Sequence, residues 1–132
     1  MKVAITSIFE IDGAPVATFD SALGSGVAVL GGSYDPGFVG QQMSVEFDID
    51  APASINGNAA YSDNSVPTIC STPEGVELVG AVESQDEDGM AYLRLSEECL
   101  IMVDVLNKER LDIGRMLRMN LKMTEMRMTP IW

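Results

Sequence analysis

Turn-forming residues divide this chain into short pieces, and that division constrains its fold more than any other feature. Asp12-Gly13, Gly24 to Gly26, Gly31-Gly32, Asp35-Pro36-Gly37, Asn56-Gly57, Pro73 to Gly75 and Asp88-Gly89 all read as turns. The segments between them are short and rich in Val, Ile, Leu and Met. Short apolar segments closed by tight turns suit strands better than helices. The pattern predicts a mostly β chain, a small antiparallel β-sandwich or partly open β-barrel, with room for one short helix.

Two segments alternate clearly. In Met43 to Asp50, Met43, Val45, Phe47 and Ile49 fall on one side, and Ser44, Glu46, Asp48 and Asp50 on the other. Period two means a strand with one wet face. Leu117, Met119, Leu121 and Met123 alternate with Arg118, Asn120 and Lys122. The phase slips at Thr124-Glu125 before Met126 and Met128 resume, which predicts a bulge or bend in one long strand. Val76 to Glu83 and Met90 to Leu95 flank Asp86-Glu87-Asp88-Gly89 as a hairpin. Ser96-Glu97-Glu98 could start a helix, but Leu100 to Val103 reads better as a buried strand, followed by a turn or short helix through Asn107 to Ile113. Strands are thus expected near 2–9, 42–50, 76–84, 90–95, 99–105 and 116–129, in a single β-rich domain over 1–132.

The chain has 132 residues and 46% hydrophobic content, a globular composition long enough to bury a core. No apolar run approaches a membrane span, and the longest, Gly26 to Gly32 and Cys99 to Val103, fit buried strands instead. Met1 to Phe9 is too short for a cleavable leader, so a cytoplasmic location is expected. Two cysteines, Cys70 and Cys99, have no metal-type spacing and are expected to be reduced thiols, partly in the core.

Charge is more informative. Twenty acidic residues oppose eight basic ones, for a net charge of −12. Residues 1–107 contain seventeen acids and only two bases, Lys2 and Arg94, whereas residues 108–132 carry net +3. Such a field repels nucleic acid and anionic membranes and attracts basic proteins. Acidity also serves solubility alone.

Much catalytic chemistry is excluded. There is no histidine, so serine–histidine and cysteine–histidine triads and histidine-bearing metal sites are impossible. Gly24-Ser25-Gly26 lacks the remainder of a nucleotide loop. A calcium loop aligned on Gly89 would place Ser84 first and Leu95 twelfth, where aspartate and glutamate are needed. Twenty acids create close carboxylate pairs by chance, and none is marked as a glycosidase pair. The residues point to no catalytic group, metal or other cofactor. Of nine methionines, six (Met102, Met116, Met119, Met123, Met126, Met128) fall in the last third. Their alternation with polar residues favours a core over a binding stripe.

The leading constellation is Glu46, Asp48 and Asp50. On one strand face they stand roughly 6.5–7 Å apart. A like-charged row either deters edge pairing or meets a cationic partner. The loop Asp86, Glu87 and Asp88 and the pair Glu97 and Glu98 supply further acidic clusters. These eight residues are the candidate partner-binding set.

Several segments together carry a resemblance. They are the strand Val45-Glu46-Phe47-Asp48-Ile49-Asp50, the hairpin from Val76 to Leu95, the run Cys99 to Val103, and a closing strand ending Met128-Thr129-Pro130-Ile131. In this order they resemble the small β-rich immunity proteins of bacterial contact-dependent toxin systems. The resemblance covers the last two-thirds of the chain and rests on strand patterns. It implies a cytoplasmic protein that binds and blocks a toxin domain, often a nuclease with a basic surface. A structural or assembly subunit, joining a neighbour's sheet through the Met-rich C-terminal strand, is the alternative.

Overall fold

The computed structural model describes residues 1–32 and 35–131. Strands β1 (Lys2–Ile11), β2 (Ala14–Ser21) and β3 (Gly24–Leu30) form an antiparallel meander. The β1–β2 turn is Asp12-Gly13, with φ of 50° and 82°. Two successive positive φ values match the right-handed twist of a hairpin, and Asp-Gly tolerates them. A short 3-10 turn at Pro36–Phe38, whose first turn is capped by the Asp35 carboxylate, leads to β4 (Gln42–Ile49). β4 lies beside β1, giving the spatial order β4-β1-β2-β3 of a Greek key. The last strand, β11 (Met126–Pro130), fills the remaining gap. It pairs antiparallel with β4 and parallel with β3, so the barrel is closed. The expectation of a mostly β fold therefore stands, with two differences: the barrel is fully closed, and one of its pairings is parallel.

Between β4 and β11 the chain builds a second sheet. It comprises β5 (Ala59–Ser62), β6 (Thr68–Ser71), β7 (Gly75–Gln85), β8 (Ala91–Ser96), β9 (Cys99–Val103) and β10 (Met116–Lys122). The order is β5-β10-β7-β8-β9. The long β7 pairs with β10 on one side. On the other it pairs first with β6, at Val76 to Val79, and then with β8, at Ala81 to Gln85. A second 3-10 turn, Leu106–Lys108, falls where a turn or short helix was expected.

The phase slip near Thr124 has a larger cause than a bulge. β10 belongs to the second sheet and β11 to the barrel, and the chain turns between them at Met123 to Glu125. The Glu125 carboxylate accepts the Lys122 amide at 2.8 Å and fixes that turn. The expected single strand over 116–129 is thus two strands in two sheets. Three strands, β2, β5 and β6, lie outside the expected set, whereas β3 falls on the apolar run Gly26 to Gly32 that reads as a buried strand.

Barrel and sheet share one continuous cluster of buried side chains. Inside the barrel the rings of Phe19 and Phe47 pack at 5.4 Å between centroids, tilted by 36°. Met119, Met126 and Met128 are fully buried, as the core reading expects, whereas Met102 is 53% exposed. The seam between the two sheets is tight at Gly24. Its φ is 131°, and a Cβ there would collide with the Ile69 carbonyl of β6. The Ile69 amide in turn donates to the Leu23 carbonyl at 3.1 Å. Among the described residues no helix is long and apolar enough to cross a membrane.

Candidate partner-binding groove

The acidic row begins on β4, which lies within the barrel rather than at a sheet edge. On one flank β11 pairs with Val45 to Ile49. On the other, β1 pairs only with Gln42 to Ser44. Beyond that point β9 runs alongside β4 without pairing to it. The two segments come together at a parallel bridge between Ala53 and Val105. Before that bridge they leave a groove of about 400 Å³.

The side chains around the groove follow from strand alternation. Val45 and Phe47 point into the core, so Glu46 and Asp48 point out. On β9, Cys99, Ile101 and Val103 are buried, which turns Leu100 and Met102 outward. β8 and β9 are joined by a two-residue turn, Glu97-Glu98, and both carboxylates are exposed. Ile131, just past β11, adds a third apolar side chain. Leu100, Met102 and Ile131 are 40%, 53% and 47% exposed, and all three line the groove with Glu46, Asp48, Glu97 and Glu98.

Arg94 holds the turn in place. Its Nε and Nη2 donate to the two carboxylate oxygens of Glu83 at 3.1 and 3.0 Å. Its Nη1 donates to the carbonyls of Ser96 and Glu97 at 3.4 and 3.2 Å. A bidentate fork of this kind is directional as well as attractive. Glu83 balances the guanidinium charge, so the four groove carboxylates keep a net negative field.

The structure therefore brings together four of the eight expected residues and separates the others. Asp50 forms an ion pair with Arg127 at 3.2 Å and does not line the groove. Asp86, Glu87 and Asp88 do not line it either. The Asp86 carboxylate accepts the Asp88 and Met90 amides at 2.9 and 3.0 Å, which builds the β7–β8 turn. Arg110 donates to the carbonyls of Asp86 and Glu87 at 2.6 and 3.2 Å. These bonds give the loop a structural job and place a cation against it.

Sequence reasoning missed Leu100, Met102, Ile131, Tyr92 and Arg94 as groove residues. The run Leu100-Ile101-Met102-Val103 is apolar at every position, so it hides which face is wet. A lone arginine in an acidic stretch was the one available signal.

Cys99 also borders the groove and is buried. Burial pushes its thiol pKa up, with the N-terminal ammonium and Arg94 pulling the other way. The protonated thiol is a poor nucleophile at neutral pH. Among the described residues no group of three cysteine or acidic side chains could hold a metal ion. The four carboxylates form a rim around apolar side chains, which suits contact with a cationic surface better than ligation.

Comparison with protein-family models, with curated proteins and with solved structures found no match to this chain.

Proposed function

We propose that this protein inhibits a basic partner protein by docking on it through the groove between β4 and β9. One observation carries the reading: Glu46, Asp48, Glu97 and Glu98 converge from two sheets around Leu100, Met102 and Ile131. Apolar anchors within an acidic rim match the division of labour in protein interfaces. The anchors supply affinity, and the rim supplies steering and partner choice. The net charge of −12 extends the attraction beyond contact range.

Within that class we propose a toxin-neutralising immunity protein, cytoplasmic and bacterial, acting by occlusion of a toxin domain. A nuclease fits best, because its phosphate-binding surface must be cationic. Nucleic acid itself is a poor ligand. Five-stranded Greek-key barrels include the OB fold, which binds oligonucleotides on its second and third strands. Here β2 and β3 contain no lysine or arginine and include Asp20. The alternative is assembly through the Met-rich C-terminal strand; against it, the β11 part of that strand is paired on both sides and Met126 and Met128 are buried.

The test is co-purification with the C-terminal domain of a large secreted protein encoded directly upstream. The expected result is an equimolar complex in which the domain's activity is lost. An active domain that does not bind would refute the immunity reading.

A further inference from the structure

Eight of the nine methionines are wholly or partly buried, and one is not. Met119, Met126 and Met128 are enclosed in the core. Met1, Met43, Met90, Met116 and Met123 are partly covered. Met102 stands apart at 53% exposure. Its neighbours on β9, Ile101 and Val103, are buried, so strand alternation turns its thioether outward. It lies directly opposite Tyr92 of β8 and lines the groove beside Leu100 and Ile131. The one exposed thioether of the chain is therefore also one of the groove's apolar anchors.

Exposure decides which thioether is oxidised. A thioether has no proton to lose, so an oxidant has only to reach its sulfur lone pair. Charge selects the oxidant. The net charge of −12 and the four groove carboxylates repel anionic oxidants such as hypochlorite. Hydrogen peroxide is neutral and meets no such barrier. Cys99, on the same groove, is shielded by burial.

We infer that Met102 is a modification site for hydrogen peroxide, and that its sulfoxide closes the groove to the partner. The sulfur lone pair attacks one peroxide oxygen, the O–O bond breaks and an S–O bond forms. The departing hydroxide takes the proton left on the transferred oxygen and leaves as water. Sulfur loses two electrons and the peroxide gains them. The product puts a polar group where an apolar contact stood. In the free protein the new oxygen is hydrated, and the core is untouched because Met102 is not part of it. Under a partner the oxygen loses that water. The carboxylates around it only accept hydrogen bonds, and the donors of Arg94 are largely committed to Glu83 and the turn. A buried acceptor without a donor weakens binding by about tenfold or more. This rests on the proposed docking at the groove and adds its regulation. Because the coupling is reciprocal, a bound partner must also protect Met102.

Peroxide treatment of the intact Cys70→Ser protein, followed by peptide mass mapping, tests the site without competition from the exposed thiol. Met102 is expected to gain oxygen first, about tenfold faster than Met119, Met126 and Met128 and ahead of the five partly covered methionines. Any other methionine reacting as fast would overturn the site. Calorimetry with the domain encoded upstream tests the switch. Oxidation should weaken binding by about tenfold, and methionine sulfoxide reductase should restore it. Met102→Leu should bind with an affinity that peroxide no longer changes, and Met102→Gln should bind like the oxidised protein. The bound domain should slow oxidation of Met102 by about tenfold. Undiminished binding by the oxidised protein, or equal oxidation of Met102 in the complex, would overturn the switch and leave the immunity reading standing. A domain that binds neither form would overturn that reading and the switch with it, and the mass map would still decide the site.

Discussion

Arg94 of β8 grips Glu83 of β7 through two nitrogens and the Glu97 carbonyl through a third. One side chain thereby ties the middle of the second sheet to the turn that carries half of the groove's charge. Both partners are about one-third to one-half exposed, so the pair itself is worth at most about 1 kcal/mol. Arg94→Lys should leave thermal stability nearly unchanged, because lysine cannot reproduce the fork and the fork contributes little to it. Partner binding should weaken, and amide exchange at Glu98 and Cys99 should quicken. A large loss of stability would mean that Arg94 is structural first.

Neutralising the groove acids should act on encounter. Glu46→Gln/Asp48→Asn/Glu97→Gln/Glu98→Gln is expected to slow association with the partner and to flatten its salt dependence, with less change in dissociation. Asp86→Asn/Glu87→Gln/Asp88→Asn should change association less, since Arg110 already lies against that loop. The Asp86 change costs some turn stability instead. Stopped-flow rates across a salt series separate the two sets, and equal effects would return the loop to candidacy.

Phe47→Ala tests the opposite face of the same strand. Phe47 is 5% exposed and packs on Phe19 at 5.4 Å. Removing the ring should cost about 3–5 kcal/mol through the cavity it leaves. Urea denaturation measures that cost, and any loss of binding should follow the unfolded fraction.

The two thiols should differ. Cys70 is exposed and Cys99 buried, so a thiol reagent at mildly alkaline pH should label Cys70 promptly and Cys99 only on unfolding. Because burial raises the folded pKa of Cys99 above its ordinary 9.0, the folded state holds this proton longer than the unfolded chain. The associated stability is fully present below pH 9.0 and declines as pH rises through the folded value. Cys99→Ala should flatten stability above that pH, which alkaline denaturation curves will show.

Gly24→Ala should strike the seam between barrel and sheet. The φ of 131° alone costs a non-glycine residue roughly 1–3 kcal/mol, and the Ile69 carbonyl occupies the space a Cβ needs. A marked fall in melting temperature is expected, and an unchanged one would mean that the seam yields.

How much of this was legible in the sequence follows from how local each feature is. β4 and β10 declare themselves because one side of each strand meets water. β3 was legible only as a continuous apolar run, Gly26 to Gly32, and β2 carries Val16-Ala17 as an adjacent buried pair, which erases the alternation. β5 and β6 have four residues each, too few to show a period. The acids were visible one by one. That Glu46 and Glu97 would line one groove, and that Asp50 would be claimed by Arg127, depends on how β4, β9 and β11 are brought together. No local pattern encodes that arrangement.

The closing strand has a kinetic consequence. β11 is made after all six strands of the second sheet, yet it alone joins β3 to β4. During synthesis the ribosome thus releases a half-shell with two bare rims, which must wait for some seventy-five residues to emerge and settle. Contacts so distant along the chain make folding slow, on the order of milliseconds to seconds. In that interval the unpaired rims of β3 and β4 are exposed, and a chaperone has its best opportunity to cover them.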